Sequence, residues 1–247
     1  MIDGIELWWL FLLLLPIVSF LYASVGHGGA SGYLALMALF SIAPENMKPT
    51  ALLLNLFVAA ASFYYYYKGG HFNKRLFLLF GITSIPAAFV GGMMTVEASV
   101  YKQVLGVLLI FAILKMLNVF GKERESVVKA NIWQGILVGA LIGFFSGLIG
   151  IGGGIILTPI IILLHWGKMK EAAAVSALFI WVNSAAGMAG QLISGVTIDA
   201  QAFILVGIAL IGGVLGGYLG SKRINQKVLR YMLAGVLVIA VVKLFTI

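Results

Sequence analysis

Gly26-His27-Gly28-Gly29-Ala30-Ser31-Gly32 and, 124 residues later (150 − 26), Gly150-Ile151-Gly152-Gly153-Gly154 are glycine clusters set inside long apolar runs. Glycine is costly in a helix interior, so each cluster reads as a break where bare backbone is needed. The same offset, carried along without a gap, lays Phe20 on Phe144, Gly28 on Gly152, Gly29 on Gly153, Leu54 on Leu178, Val58 on Val182 and Gly92 on Gly216. Apolar identities are cheap in such a chain, whereas paired glycines are not. The sequence reads as two copies of one unit, each built around a glycine break.

Hydrophobic residues make up 62% of the 247 and charged residues 10%, with a mean hydropathy of +1.11. A water-facing exterior needs far more charge than that. The charge-free runs 7–25, 50–67, 76–96, 132–164, 172–198 and 200–221 have the length of membrane spans, for which about 20 residues suffice. The expected class is an all-α integral membrane protein. Asp3 and Glu6 take the place of a basic leader, so the first apolar run is expected to be a helix of the repeat and not a cleaved signal. There is no cysteine, which excludes disulfides and thiolate chemistry. The net charge of +8 resides in short loops, where it sets orientation in a membrane and does not point to nucleic acid.

Each half shows one order. In the first repeat, 1–120, a hairpin over 7–42 precedes helices over 50–67, 76–96 and 101–120. A charged linker, 121–131, leads to the second repeat, 132–247, with a hairpin over 132–164 and helices over 172–193, 201–220 and 228–246. The second arm of each hairpin has about ten residues, and ten residues of helix rise only about 15 Å. The hairpins are therefore expected to be re-entrant, with their glycine tips meeting near mid-membrane.

Lysine and arginine then separate the loops. Loops 68–75, 121–130, 165–171 and 221–230 are basic, while 43–49, 97–102 and 194–200 are not. Basic loops stay cytoplasmic. Equivalent loops thus fall on opposite sides, the plan of an inverted repeat, with both termini external and the central linker cytoplasmic.

A helix that restarts after a break presents free N–H groups and a partial positive charge, which hold anions without a cationic side chain. Gly26, Gly28, Gly29, Gly150, Gly152, Gly153 and Gly154 are the candidates for that role. His27 stands among them, either donating to an anion and titrating near neutral pH or satisfied by nearby backbone. Ser31, Asn55, Thr158 and Asn183 are polar residues in apolar helices, suited to line a site or to bridge helices. Gly91-Gly92, Gly135/Gly139/Gly143 and Gly212-Gly213/Gly216-Gly217 read as packing glycines. All 8 acids fall in termini or loops, which argues against a cation substrate. No HExxH, GxSxG or phosphate-binding loop is present, so neither an enzyme nor a metal or cofactor site is expected.

Ser24-Val25-Gly26-His27-Gly28-Gly29, the run Gly147-Leu148-Ile149-Gly150-Ile151-Gly152-Gly153-Gly154 with Thr158-Pro159 after it, and the Ala51…Asn55 helix together resemble the sulfite exporter TauE/SafE family of permeases, over nearly the whole chain. The resemblance implies transport of a sulfur-containing oxyanion, a sulfonate or a related small anion. The first cluster departs from the pattern, with Ala30 where the second has Gly154. The expected protein is an inner-membrane permease whose partners are a small anionic substrate and the lipid bilayer. A passive anion channel and a membrane scaffold or receptor without transport are the alternatives. A coupling ion, the direction of transport and the oligomeric state stay open.

Overall fold

A computed structural model describes residues 8–117 and 127–222, with positions 231, 238, 241 and 242 beyond them. Apart from those four positions, the expected helix 228–246 lies outside the described residues, as does linker segment 118–126. The described chain is helical: α1 (Trp8–Ser24), α2 (Ala30–Leu39), α3 (Pro44–Lys68), α4 (Lys74–Met93), α5 (Ala98–Met116), α6 (Ile132–Ile149), α7 (Gly154–Leu163), α8 (Met169–Ile193) and α9 (Gln201–Lys222). Five of these, α3, α4, α6, α8 and α9, are long and apolar enough to cross a membrane.

Local chemistry sets the boundaries. Asn73 caps α4 by accepting from the Leu76 N–H, and Asn131 caps α6 by accepting from the Trp133 and Gln134 N–H groups. The Glu171 carboxylate accepts from the Lys168 N–H at the start of α8. Helix α3 begins six residues before the expected Thr50, because Pro44 at its first turn needs no N–H partner. Helix α8 likewise begins at Met169 and not at residue 172. Glu45 and Glu171 therefore sit in first turns of helices, and not in loops as expected.

The distribution of polarity is that of a chain wrapped in hydrocarbon. Trp133, Ile82 and Ile211 are 79%, 68% and 63% exposed, while Ser19, Asn55, Ser62, Ser84, Asn183 and Ser184 are wholly buried. Packing is close and glycine-led. Gly139, Gly143 and Gly147 of α6 press on the carbonyls of Phe80, Ser84 and Ala88 in α4, and Gly212, Gly216 and Gly220 of α9 press on those of Pro16, Phe20 and Ser24 in α1. Such stripes let transmembrane backbones approach, the role expected for Gly139, Gly143, Gly212 and Gly216; Gly147 and Gly220 extend the two stripes. Of the Tyr64–Tyr67 run, expected at the interface, Tyr64 and Tyr67 are exposed; Tyr66 is buried and donates to the Ser24 carbonyl.

Residue pairs give the helix directions. Along α3 and α8, Leu52 meets Gly187, Asn55 meets Ser184 and Tyr66 meets Ala173, so these helices run antiparallel. The glycine stripes make α4 parallel to α6 and α1 parallel to α9. Boundaries also recur. Helices α2 and α7 start 124 residues apart (154 − 30) and end 124 apart (163 − 39). Ser41 and His165, again 124 apart, share the same left-handed φ of 57°. Beyond that corner the interval lengthens by one: α3 and α8 start 125 apart (169 − 44) and end 125 apart (193 − 68). The gapless pairing of Leu54 with Leu178 and Val58 with Val182 is thus corrected by one residue, added in the turn after His165.

Loops gather at the two ends as the charge count divides them. At one end Asn73 reaches Glu171, the Val128 N–H donates to the His165 carbonyl, and the Lys170 ammonium donates to the Ser221 carbonyl. At the other, the Lys48 ammonium donates to the carbonyls of Gly92 and Met94, and the Ser194 hydroxyl to that of Met93.

Candidate functional site

Each break is a short loop between a long arm and a short one. Helix α1 ends at Ser24 and α2 restarts at Ala30; α6 ends at Ile149 and α7 restarts at Gly154. The residues before each restart, Gly29 and Gly153, have φ of +104° and +78°, which an L side chain would strain. Neither restart is capped by a side chain. Two uncapped helix starts of ten residues each therefore lie inside the bundle.

The breaks converge on one place. A Cβ added to Gly28 would lie 2.6 Å from Asn55 Oδ1 and 2.8 Å from Ile180 Cγ2; one added to Gly152 would lie 2.6 Å from Asn55 Nδ2 and 2.7 Å from the same Ile180 Cγ2. Asn55 and Ile180, from antiparallel α3 and α8, are thus held between the two loops. Asn55 donates to Ser184 Oγ at 3.2 Å, and its Oδ1 has no hydrogen-bond partner among the described residues. Turning that amide over preserves the Ser184 bond, with the hydroxyl now donating, and presents the NH₂ group on the Gly28 side.

His27 joins the loops directly. Its Nε2 lies 3.2 Å from the Gly154 carbonyl and 3.1 Å from Thr158 Oγ1, which lies 2.7 Å from Ser176 Oγ. A buried polar row, His27–Thr158–Ser176, runs from the first break through α7 to α8. Its positional counterparts are apolar: Ile151 for His27 and Leu34 for Thr158, by the 124-residue interval, and Ala51 for Ser176, by 125.

The remaining expected residues spread outward from this point. Gly26 packs on Ala173 near the start of α8, and Gly150 on Lys48 near the start of α3. Those two glycines sit toward opposite ends of the bundle, so only the Gly28 and Gly152 segments meet in the middle. Gly29 lies against the Tyr33 ring, whose hydroxyl is 2.8 Å from the Gly28 carbonyl and 2.9 Å from Ser19 Oγ. Gly153 lies against Ile142 and Phe179, and Gly154 against Ile180. Ser31 donates to the Tyr22 hydroxyl of α1. The Asn183 NH₂ group donates back to the Phe179 carbonyl of its own helix, and its Oδ1 has no partner among the described residues.

Sequence reasoning passed over Ile180 and Lys48, and noted Ser184 only as one polar residue among several in the apolar helices. Ile180 carried no signal at all. Ser184 stood next to Asn183, and only the turn of the helix shows which of them reaches Asn55. Lys48 was left in a loop, although its stem packs on Gly150 and its ammonium closes the end of α4; its signal was Pro44 and Pro49, which mark a helix already begun.

The family model for the sulfite exporter TauE/SafE matches residues 11–244. A probable membrane transporter protein of Sinorhizobium fredii, y4hK, is 34% identical over 92% of this chain and 94% of its own length. A second, MJ0441 of Methanocaldococcus jannaschii, is 30% identical over the same shares. A third, YunE of Bacillus subtilis, is 35% identical over 40% of this chain and 36% of its own. No solved structure matches the chain.

Proposed function

Because the chain belongs to the sulfite exporter TauE/SafE family of membrane transporters, we propose that it moves a small anion of the sulfite or organosulfonate type across the cytoplasmic membrane, through the crossing of its two glycine breaks. The observation that carries this reading is that Gly28 and Gly152 both abut Asn55 and Ile180, beside two uncapped helix starts. An anion taken from water needs replacement for its hydration. The N–H groups of α2 and α7, the Asn55 amide, the Ser184 and Thr158 hydroxyls and His27 are the donors gathered there. They are neutral or weak, which suits an ion that must also leave.

The architecture we propose is an inverted repeat with two re-entrant hairpins and external termini, the loops at the Lys170–Ser221 end being cytoplasmic. Three features support it: the antiparallel course of α3 and α8, the recurrence of boundaries at 124 and 125 residues, and the grouping of loops by charge. It also supplies a mechanism. Gly26 on Ala173 and Gly150 on Lys48 are equivalent contacts at opposite ends (150 − 26 = 124; 173 − 48 = 125). Opening one while the other stays packed exposes the centre to one side at a time. At Gly28 and Gly152 there is no space for a methyl group, which favours alternate opening over a standing pore.

The test is flux in liposomes holding the purified protein, with sulfite, an alkylsulfonate, a small carboxylate and a monovalent cation offered in turn. Saturable uptake of a sulfur oxyanion is expected. Uptake of the cation alone, or no flux with any anion, overturns the proposal.

A further inference from the structure

A groove of about 480 Å³ opens between the first turns of α4 and α6, with no residue of either glycine break in its lining. Its floor is Leu76 and Trp166, and the extended segment 127–130, tied by the Val128 N–H to the His165 carbonyl, covers one side. Arg75 and Lys129, both exposed, line its rim, and among the described residues the lining has no carboxylate. Glu171, at the start of α8, is engaged by Asn73 and the Lys168 N–H. Below the rim the walls are Leu78, Leu79, Ile82, Ile132 and Ile136, and Thr83 is committed to the Ile136 carbonyl. Ile82 is eight residues into α4, about 12 Å along its axis, on a helix apolar enough to span a membrane.

We infer that this groove binds one anionic phospholipid, its headgroup between Arg75 and Lys129 and an acyl chain along Leu78, Leu79 and Ile82. A free anion would use the rim but not the apolar length; an uncharged lipid would use the length but not the rim. The two helix starts beside the groove are already capped by Asn73 and Asn131, so the cationic side chains are what is left for a phosphate. Arginine offers it paired donors, and each basic residue near an anionic lipid surface adds roughly fivefold in affinity. The inference depends on α4 and α6 lying in the membrane and not on which anion is carried.

Native mass spectrometry of the detergent-purified full chain tests it, titrating phosphatidylglycerol, phosphatidylcholine of the same chains, and glycerol 1-phosphate. Retention of one phosphatidylglycerol in preference to phosphatidylcholine is expected. Arg75→Gln with Lys129→Gln should weaken it about thirtyfold, and Ile82→Trp should displace it by filling the groove; detergent melting without lipid shows that each variant is folded. Equal retention of the two lipids, binding of glycerol 1-phosphate as tight as the intact lipid, or indifference to both substitutions overturns the inference. So does occupation by the chain itself: since there is no native cysteine, Ile82→Cys with Lys122→Cys would report it as a cross-link unaffected by added lipid.

Discussion

Asn55 and Ile180 stand at the same position of two repeated helices, eleven residues after the starts of α3 and α8, and both glycine breaks rest on both of them. Around them, Ala59 and Ser184 are likewise 125 apart and flank Gly28 and Gly152 in turn. The contacts at the crossing thus recur at 124- and 125-residue intervals, but their chemistry does not: Asn55, Ser184, His27 and Thr158 have Ile180, Ala59, Ile151 and Leu34 as counterparts. In the inverted repeat we propose, the backbone openings toward the two sides are equivalent, and the uneven donors make the two states unequal in energy.

Asn55 is accordingly the side chain expected to matter most for affinity. Removing a hydrogen bond to a charged group costs about 1.5–3 kcal/mol, or roughly ten- to a hundredfold in affinity. Calorimetry with sulfite on purified protein should show that loss for Asn55→Leu. Asn183→Leu should show much less, because its NH₂ group is spent on Phe179 within α8. Equal losses for the two would move the site off the Gly28–Gly152 crossing.

Bulk at the crossing should stop transport before it stops folding. Gly28→Val and Gly152→Val drive a Cβ into Asn55 and Ile180 and are expected to abolish flux. Gly92→Ala instead meets the Gly187 backbone between α4 and α8 and should reduce folded yield. Gly207→Ala meets nothing within 4 Å inside α9; it should leave flux unchanged and add up to about 1 kcal/mol of stability through helix propensity. Folded yield from size-exclusion chromatography, set beside flux per folded molecule, separates these outcomes. Normal flux through Gly152→Val would remove the ligand role of the second break.

Orientation is open to direct measurement, since the chain has no native cysteine. Single cysteines at Gly70 and Gly195, both with nothing within 4 Å, should react with an impermeant reagent from opposite sides of the membrane, the first only from the cytoplasmic side. Labelling of both from one side would refute the inverted topology.

The helix breaks and the all-helical membrane class were legible because glycine clusters and charge-free runs are rare features that survive a noisy, apolar background. The one-residue lengthening after His165 was not. In a chain so rich in leucine and valine, the ungapped pairing of Leu54 with Leu178 looks as good as the true one, and it hides the equivalence of Asn55 and Ile180. Which polar residue of α8 faces the site was unreadable for a related reason. A helix apolar on all sides has no polar face to set its rotation, so Asn183 and Ser184 could not be told apart. Lys48 was lost because charges were used to mark the ends of spans, and α3 carries its first turn past that mark.

Lys48 supplies the last expectation. Its ammonium donates to the Gly92 and Met94 carbonyls at 3.1 Å each, where α4 ends, while its stem lies on Gly150. The counterpart at the other end is Ala173, so among the described residues the break glycine in direct contact with a cationic side chain is Gly150. A positive group at the mouth of a path raises the local concentration of anions, an effect that salt screens. Lys48→Gln keeps a donor for the carbonyls but removes the charge; Lys48→Met removes both and should cost about 1 kcal/mol of stability besides. In liposomes with the protein inserted one way, both variants should raise KM several-fold for anion offered at the Lys48 face and flatten its dependence on ionic strength. KM for anion offered from the opposite face should hold. A uniform fall in kcat from both faces, with the salt dependence intact, would make Lys48 a structural clamp on α4 and not an entrance.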